Sequence, residues 1–385
     1  MGFFKRYDRC QRPIAVSSQK RQYYNKAGEI VQEKVMTQNM TSWDLAYYLL
    51  RANYDGIESS YCTVPAPTPH QGKALHLHGH KVTSFEPISN DGIRVFFTDS
   101  TSSEPSQIKH RDCDILIAAD GPSSTLRSSL FPKVKRTYTG YCALRGTVPE
   151  TTVSERTLLA FRERFAFFHA PGIQILAYLI PGINGTVEPG HRLINFVYYT
   201  NFPEDSAELD EILTDKNGQR HRITMPPGMM DPKAWDKQKQ IARDRLPPQF
   251  AEIVCGTKQP FVQAITDVIS PQNSAHDDRV VLIGDALAGF RPHTVASTSQ
   301  ACFDAMTYAD FISGKVSREQ WKKQTIGFAR FVQDRGVKMG IRSQFGEKDA
   351  DGVWQALPLE DLIGDRDEAS KPRAEEVWPD WATKI

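Results

Sequence analysis

Two stretches decide the fold: Asp114-Ile115-Leu116-Ile117-Ala118-Ala119-Asp120-Gly121-Pro122-Ser123-Ser124-Thr125-Leu126-Arg127 and Val280-Val281-Leu282-Ile283-Gly284-Asp285-Ala286. Each is a short apolar run that ends in an acidic residue beside a glycine. Such a run suits a strand buried on both faces, as in a parallel sheet. In open α/β sheets ligands bind outside the carboxyl ends of the strands, where Asp120 and Asp285 would stand. Gly121 lets backbone approach a ligand closely. Arg291-Pro292 follows the second stretch and leads into a helix expected over about 297–313. The N-terminus of that helix offers free N–H groups and partial positive charge to an electron-rich ligand. Taken singly, each stretch reads equally well as a strand, a turn and a capped helix.

Working outward, residues 20–35 read as a β-hairpin turning at Asn25-Lys26-Ala27-Gly28. A helix follows, capped by Thr41 or Ser42, with Leu45, Tyr48 and Leu49 on one face. Residues 74–117 read as a series of strands: Leu75-His76-Leu77-His78, then Ile93 to Phe97 after the turn Asn90-Asp91-Gly92, then the first decisive stretch. Residues 138–270 are richer in strand-like segments, such as Ile173 to Ile180 and Leu193 to Tyr199, with a polar helical stretch near 231–255. This middle reads as a second domain inserted into the first. In the helix over 297–313, Ala301, Ala305 and Ala309 fall at i, i+4 spacing and suit close packing on a sheet or cofactor. Another helix starts at Ser317, where Ser317 and Gln320 form a capping-box pattern. The acidic end of the chain, with Trp354, Trp378 and Trp381, reads as a surface tail.

Composition narrows the function classes. The 385 residues carry 47 Lys plus Arg against 46 Asp plus Glu, a net charge of +1. Nothing there argues for a nucleic-acid or membrane-surface partner, which usually demand a basic excess. The six cysteines are scattered with no CxxC, which fits a reducing compartment rather than a disulfide framework. No apolar run approaches the roughly 18 residues of a membrane span. A soluble, cytoplasmic protein is the expectation.

Together, in this order and about 160 residues apart, the two stretches are specific. They resemble the FAD-dependent aromatic-ring monooxygenases of the para-hydroxybenzoate hydroxylase class. Thr41-Ser42-Trp43-Asp44-Leu45, Gly140-Tyr141-Cys142-Ala143-Leu144-Arg145-Gly146 and Arg291-Pro292-His293 are similar to the 2,6-dihydroxypyridine hydroxylase branch. The resemblance covers roughly residues 20–340. It implies an α/β fold: an incomplete FAD-binding Rossmann-like domain with an inserted mixed β-sheet substrate domain. The implied boundaries are 1–137 and 271–340 for the two parts of the FAD-binding domain, 138–270 for the substrate domain and 341–385 for the tail. Implied cofactor contacts are Asp120, Gly121, Ser124, Arg127, Gly284, Asp285, Arg291 and Pro292, with Arg127 supporting the turn. FAD is the implied cofactor, NADH or NADPH the co-substrate, and a small aromatic ring and O2 the partners. No catalytic residue is assigned.

The family opens with a strand, a GxGxxG turn and a helix that hold the FAD pyrophosphate. Among the 25 glycines here no G-x-G occurs. The expectation is a truncated form of a longer enzyme. The alternative is a non-catalytic remnant that binds a small aromatic ligand or pairs through an exposed sheet edge, for instance as a homodimer. The loop after Pro292 also departs from the family, with Val295 and Ser297 at usual glycines and Ser299 at the usual Asn. Likewise Ala288 replaces a frequent His, and Ser42 a flavin-touching Arg or Gln.

His76, His78 and His80 would share one face of a strand, a spacing that could bind metal. No carboxylate or cysteine nearby completes a set, so no metal is expected. His293 would sit beside the flavin ring and could bond a phenolic or pyridinol substrate; the plainer reading is a loop histidine bonded to backbone. Arg145 reads as structural. Alternation places Phe196 and Tyr198 on one face of a strand and Tyr199 on the other.

Overall fold

The computed structural model describes residues 2–69, 72–89, 91–348 and 354–355. Its strands, in chain order, are β1 (Val16–Tyr24), β2 (Ile30–Met40), β3 (His80–Ile88), β4 (Gly92–Asp99), β5 (Ile108–Cys113), β6 (Leu116–Ala118), β7 (Thr137–Pro149) and β8 (Arg164–Ala170). There follow β9 (Ile173–Ile180), β10 (Leu193–Asn201), β11 (Thr224–Met225), β12 (Phe261–Ile269), β13 (Ser274–Ala275), β14 (Val280–Leu282) and β15 (Ala288–Gly289). The helices are α1 (Gly2–Tyr7), α2 (Trp43–Tyr54), α3 (Thr125–Leu130), α4 (Glu155–Phe161), α5 (Ala207–Leu213), α6 (Pro232–Arg245), α7 (Pro248–Gly256), α8 (Ser297–Ile312) and α9 (Arg318–Gln344).

The large sheet runs β11-β12-β7-β10-β9-β8-β1-β2, with β15 pairing off β12. It is mixed because β1 lies parallel to β8 while the other pairs are antiparallel. Alternation buries both faces. Phe196, Tyr198, Leu144 and Val262 meet Phe250 of α7 on one side. Tyr199, Tyr141, Phe165 and Ile265 fill the other. Each such apolar side chain removed from water contributes about 1.5–3 kcal/mol, and the largest buried cluster among the described residues lies on this sheet. The hairpin β1-β2 joins it although its residues precede 138–270: Lys20 to Tyr24 pair in register with Arg164 to Phe168.

A second, three-stranded sheet, β13-β14-β6, carries the two decisive stretches. Val280, Val281 and Leu282 of β14 pair in parallel with Leu116, Ile117 and Ala118 of β6. β14 is fully buried, as expected. β6 is not: Ile115 and Ile117 are 44 % and 46 % exposed. The reason is position, since β6 is the outer strand and among the described residues pairs only with β14. Beside it, β3-β4-β5 forms a third, antiparallel sheet. Residues 75–78 are not a strand, because β3 begins only at His80. Leu75 and Leu77 lie on an exposed loop with no described strand beside them to take up their backbone groups.

Local chemistry accounts for the helices that frame the site. Ser42 caps α2 by accepting the Leu45 N–H, and Leu45, Leu49 and Ala52 form its buried face. Ser317 and Gln320 close the expected capping box on α9, which buries Trp321 and Phe328. α9 packs against α8, β9, β10 and β12, and its Phe328, Ala329 and Val332 share a buried cluster with Ala118 of β6 and Leu282 of β14, joining the large sheet to the three-stranded β13-β14-β6 sheet. The buried face of α8 is Gln300, Phe303, Asp304, Thr307 and Tyr308 rather than the alanine stripe. Only Ala301 of that stripe meets the glycine loop. The polar helical stretch near 231–255 is two helices, α6 and α7, broken at Leu246-Pro247. Of the tail expected over 341–385, residues 341–344 are instead the end of α9, with Ser343 and Gln344 buried and Phe345 packed on the core, and the part beyond Lys348 lies outside the described residues, apart from the backbone of 354–355. Among the described residues no helix is long and apolar enough to cross a membrane.

Candidate active site

The two acidic strand ends converge, and Arg127 is the reason. Its side chain is buried, and its guanidinium donates to the Pro122 carbonyl at 2.5 Å, the Ala286 carbonyl at 2.9 Å and the Asp285 carbonyl at 3.3 Å. One side chain from the first stretch therefore holds its own turn against the backbone of the second. Arg127 reaches that place because α3 starts correctly. Ser124 accepts the Arg127 N–H at 2.9 Å as the N-cap. The exposed Asp120 carboxylate accepts the N–H groups of Thr125 and Leu126 at 2.8 and 3.4 Å, where the helix N-terminus favours negative charge. Gly121 bridges the two with φ +78°, and no atom lies within 4 Å of where a Cβ would be.

On the second stretch, Gly284 has φ +58°, and a Cβ there would meet the Ala301 Cβ at 3.0 Å. A side chain at this position would push α8 off the strand end. The Gly284 N–H donates at 2.8 Å to Asp304, a fully buried carboxyl that also meets the Gln300 Nε2 at 2.6 Å. Burial pushes the Asp304 carboxyl up to about 7, while the Gln300 and Gly284 bonds pull the other way. Sequence reasoning misses Asp304 because nothing in a helical Asp signals that its carboxyl turns inward.

Asp285, the residue after that glycine, borders a cavity of about 160 Å³ shared with Pro122, Arg136, Arg145, Thr266 and Pro292. Burial raises its carboxyl, and Arg136 and Arg127 act against that rise. Arg136 is held by Thr266 at 2.6 Å and Ser123 at 2.8 Å. Arg145 presents a buried Nε without a hydrogen-bond partner among the described residues. Sequence reasoning misses Arg136, which looks like the end of a solvated Lys133-Val134-Lys135-Arg136 run, and sets Arg145 aside as structural. The signal at Arg145 was a charge inside the apolar strand β7.

Arg291 does not line this cavity. It bonds Asp267 of β12 at 2.8 Å and so pins the loop that Pro292 opens. His293 is also buried away from it: its Nε2 lies 3.0 Å from the Tyr141 hydroxyl and its ring stacks 4.5 Å from Tyr199. Val295 holds φ +57°, a left-handed conformation that strains a β-branched residue by about 1–3 kcal/mol. This left-handed backbone stands at a position where the resemblance expects a glycine. Ala296 gives α8 no side-chain cap, which leaves its first N–H groups open beside Ser297 on the cavity wall. Far from this site, the His80 Nε2 lies 3.7 Å from Asp99 and the rings of His76 and His78 are 4.2 Å apart. Among the described residues no group of three or more His, Cys, Asp or Glu is arranged to hold a metal.

A carboxylate beside an uncapped helix N-terminus suits a hydroxylated chain and the polar edge of a ring. The residues therefore fit the ribityl side of FAD. The closed volume is smaller than the roughly 300 Å³ from which small-molecule sites usually start, and the chain has no G-x-G loop for a pyrophosphate. Among the described residues no histidine, cysteine or lysine lines the cavity.

Two acidic strand ends are tied across a small α/β sheet that stands beside a large mixed sheet. Comparisons with known proteins find similarity to FAD-dependent aromatic hydroxylases. Residues 138–267 match the FAD_binding-like family model, described as FAD binding domain-like. The 2,6-dihydroxypyridine 3-monooxygenase of Paenarthrobacter nicotinovorans is 28 % identical over 261 residues, 67 % of this chain and 62 % of that protein. The salicylate hydroxylase of Pseudomonas putida is 26 % identical over 252 residues, 63 % of this chain and 51 % of that one. In structure, the 2,6-dihydroxypyridine-3-hydroxylase from Arthrobacter nicotinovorans superposes with a TM-score of 0.71 at 22 % identity, covering 90 % of this chain and 81 % of that chain. The chain thus spans less than two thirds of the length of these curated relatives.

Proposed function

We propose that this chain carries the flavin and substrate sites of an FAD-dependent monooxygenase that hydroxylates an electron-rich aromatic or heteroaromatic ring, using NADH or NADPH and O2. The observation that carries the reading is the Arg127 tie, which brings Asp285, the start of α8 and the first turn to one cavity. Bound FAD supplies the electron transfer and the activation of O2, chemistry that no side chain here can perform. Asp285 accepts a ribityl hydroxyl. Gly284 keeps α8 close, and the N–H groups at the start of α8, with Pro292 and Gly289, would hold the polar edge of the ring. Arg127, Ser124 and Arg291 position these groups without touching the cofactor, and Asp120 and Gly121 shape the opposite turn. Arg136 and Arg145 give the cavity a cationic wall suited to a phenolate or pyridinolate.

The test is aerobic turnover by the full chain with added FAD. NADH or NADPH oxidation should rise when a dihydroxypyridine or a hydroxybenzoate is present, and the product should gain one oxygen atom by mass. Nucleotide oxidation indifferent to every aromatic, with no oxygenated product, contradicts the reading.

A further inference from the structure

A second concavity lies between α1 and the end of α2. Its volume is about 600 Å³, within the range of small-molecule sites. Arg6, Arg9 and Lys73 line it, together with Tyr7 and Tyr54, and among the described residues no carboxylate does. Its walls are pinned. The Asn53 amide donates to Asp8 at 2.8 Å and accepts the Arg9 N–H at 3.0 Å, and the Arg9 guanidinium donates to the Ala66 carbonyl at 2.8 Å. The nearby Asp8 is turned into its own loop, where it takes the Cys10 N–H. Tyr54 is 56 % exposed and presents an aromatic plane beside the three cations, whereas Tyr7, 40 % exposed, packs against Phe3 and carries the Arg6 guanidinium 5.2 Å from its ring centroid.

Three cations with no competing acid select a polyanion, and arginine donors match phosphate oxygens. Exposed aromatic rings select a planar group by stacking. We propose that this cleft binds a nucleoside diphosphate, with the phosphates on Arg6, Arg9 and Lys73 and the base against Tyr54. The described residues of the site include neither a glycine turn nor an acidic ribose ligand, so it is not a dinucleotide fingerprint. The proposal does not depend on the flavin reading, because a nucleoside diphosphate contains no isoalloxazine.

The test is calorimetric titration of the full chain with ADP at low ionic strength, with adenosine, inorganic phosphate and FMN as comparators. ADP should bind with Kd below about 1 mM, tighter than adenosine or phosphate, and weaken as salt screens the cations. The double variant Arg6→Ala, Lys73→Ala, which removes two of the three cations, should lose at least about tenfold. Arg9 is left in place because it also holds the Ala66 carbonyl, and both substituted side chains are solvent-facing. Competition with ADP by FAD or NADH, but not FMN, assigns the cleft to the ADP half of a dinucleotide. Absence of competition assigns it to a free nucleotide. ADP binding no tighter than that of adenosine or phosphate, or unchanged in the double variant, overturns the proposal.

Discussion

Arg127→Ala is expected to destabilise the fold by about 3–5 kcal/mol, the scale of removing a buried charged donor that serves several acceptors. Among the described residues the guanidinium is the one side chain that bonds both decisive stretches, and its loss leaves the carbonyls of Pro122, Asp285 and Ala286 without that donor. Arg127→Lys should recover only part, because one ammonium cannot span three carbonyls set at the angles of a planar fork. Urea unfolding of the three proteins measures this. The flavin affinity of the alanine variant should fall further than its stability predicts at temperatures where it stays folded, since Asp285 is then free to leave the cavity. A loss below about 1 kcal/mol, typical of a surface change, would mean that the two strand ends are held by something other than Arg127.

The second large effect is a pH dependence set by Asp304. Its carboxyl rises from the ordinary 3.8 to about 7 on folding, so the native state holds a proton that the unfolded chain releases. The stability from this group is therefore complete below pH 4 and is lost as pH rises towards and through 7. Between pH 5 and pH 8 the loss is on the order of 2–3 kcal/mol, since each tenfold difference in proton affinity between the folded and unfolded chain is worth about 1.4 kcal/mol. Carboxylates such as Glu150 and Asp278, held low by Arg192 and by Lys322 with Arg318 against the cost of burial, lose their contribution on the acid side instead. Stability should therefore peak in the weakly acidic range. The buried Gln300 Oε1 has no hydrogen-bond partner among the described residues, and turning that amide over lets the protonated Asp304 donate to it. Asp304→Asn keeps an acceptor for the Gly284 N–H and carries no charge, so its unfolding midpoint should be nearly flat from pH 5 to pH 8. Parallel pH curves for the two proteins would remove Asp304 from this role.

Particular residues show how much could be read from sequence. Asp120 and Asp285 were legible because an apolar run that stops at an acid marks a strand end whatever the rest of the chain does. The face assignments of Phe196, Tyr198 and Tyr199 followed from the two-residue period alone. Burial of the first run was not legible, because it depends on whether a further strand lies beside β6. The alternating histidines looked like a strand for the same reason: periodicity reports a pattern and not a neighbour. Arg136, Arg145 and Asp304 escaped because their roles are set by which distant backbone they face. His293 sits under the Tyr141–Tyr199 pair, a contact spanning about 150 residues that no local motif announces.

The most direct test of the central claim is titration of the full chain with FAD, followed by flavin absorbance and fluorescence quenching, for the wild type and for Asp285→Asn. Saturable binding near one flavin per chain, weakened at least about tenfold by the substitution, is the result predicted if Asp285 and the start of α8 hold the ribityl side. Failure of the wild type to quench flavin, or equal binding by both proteins, would contradict it.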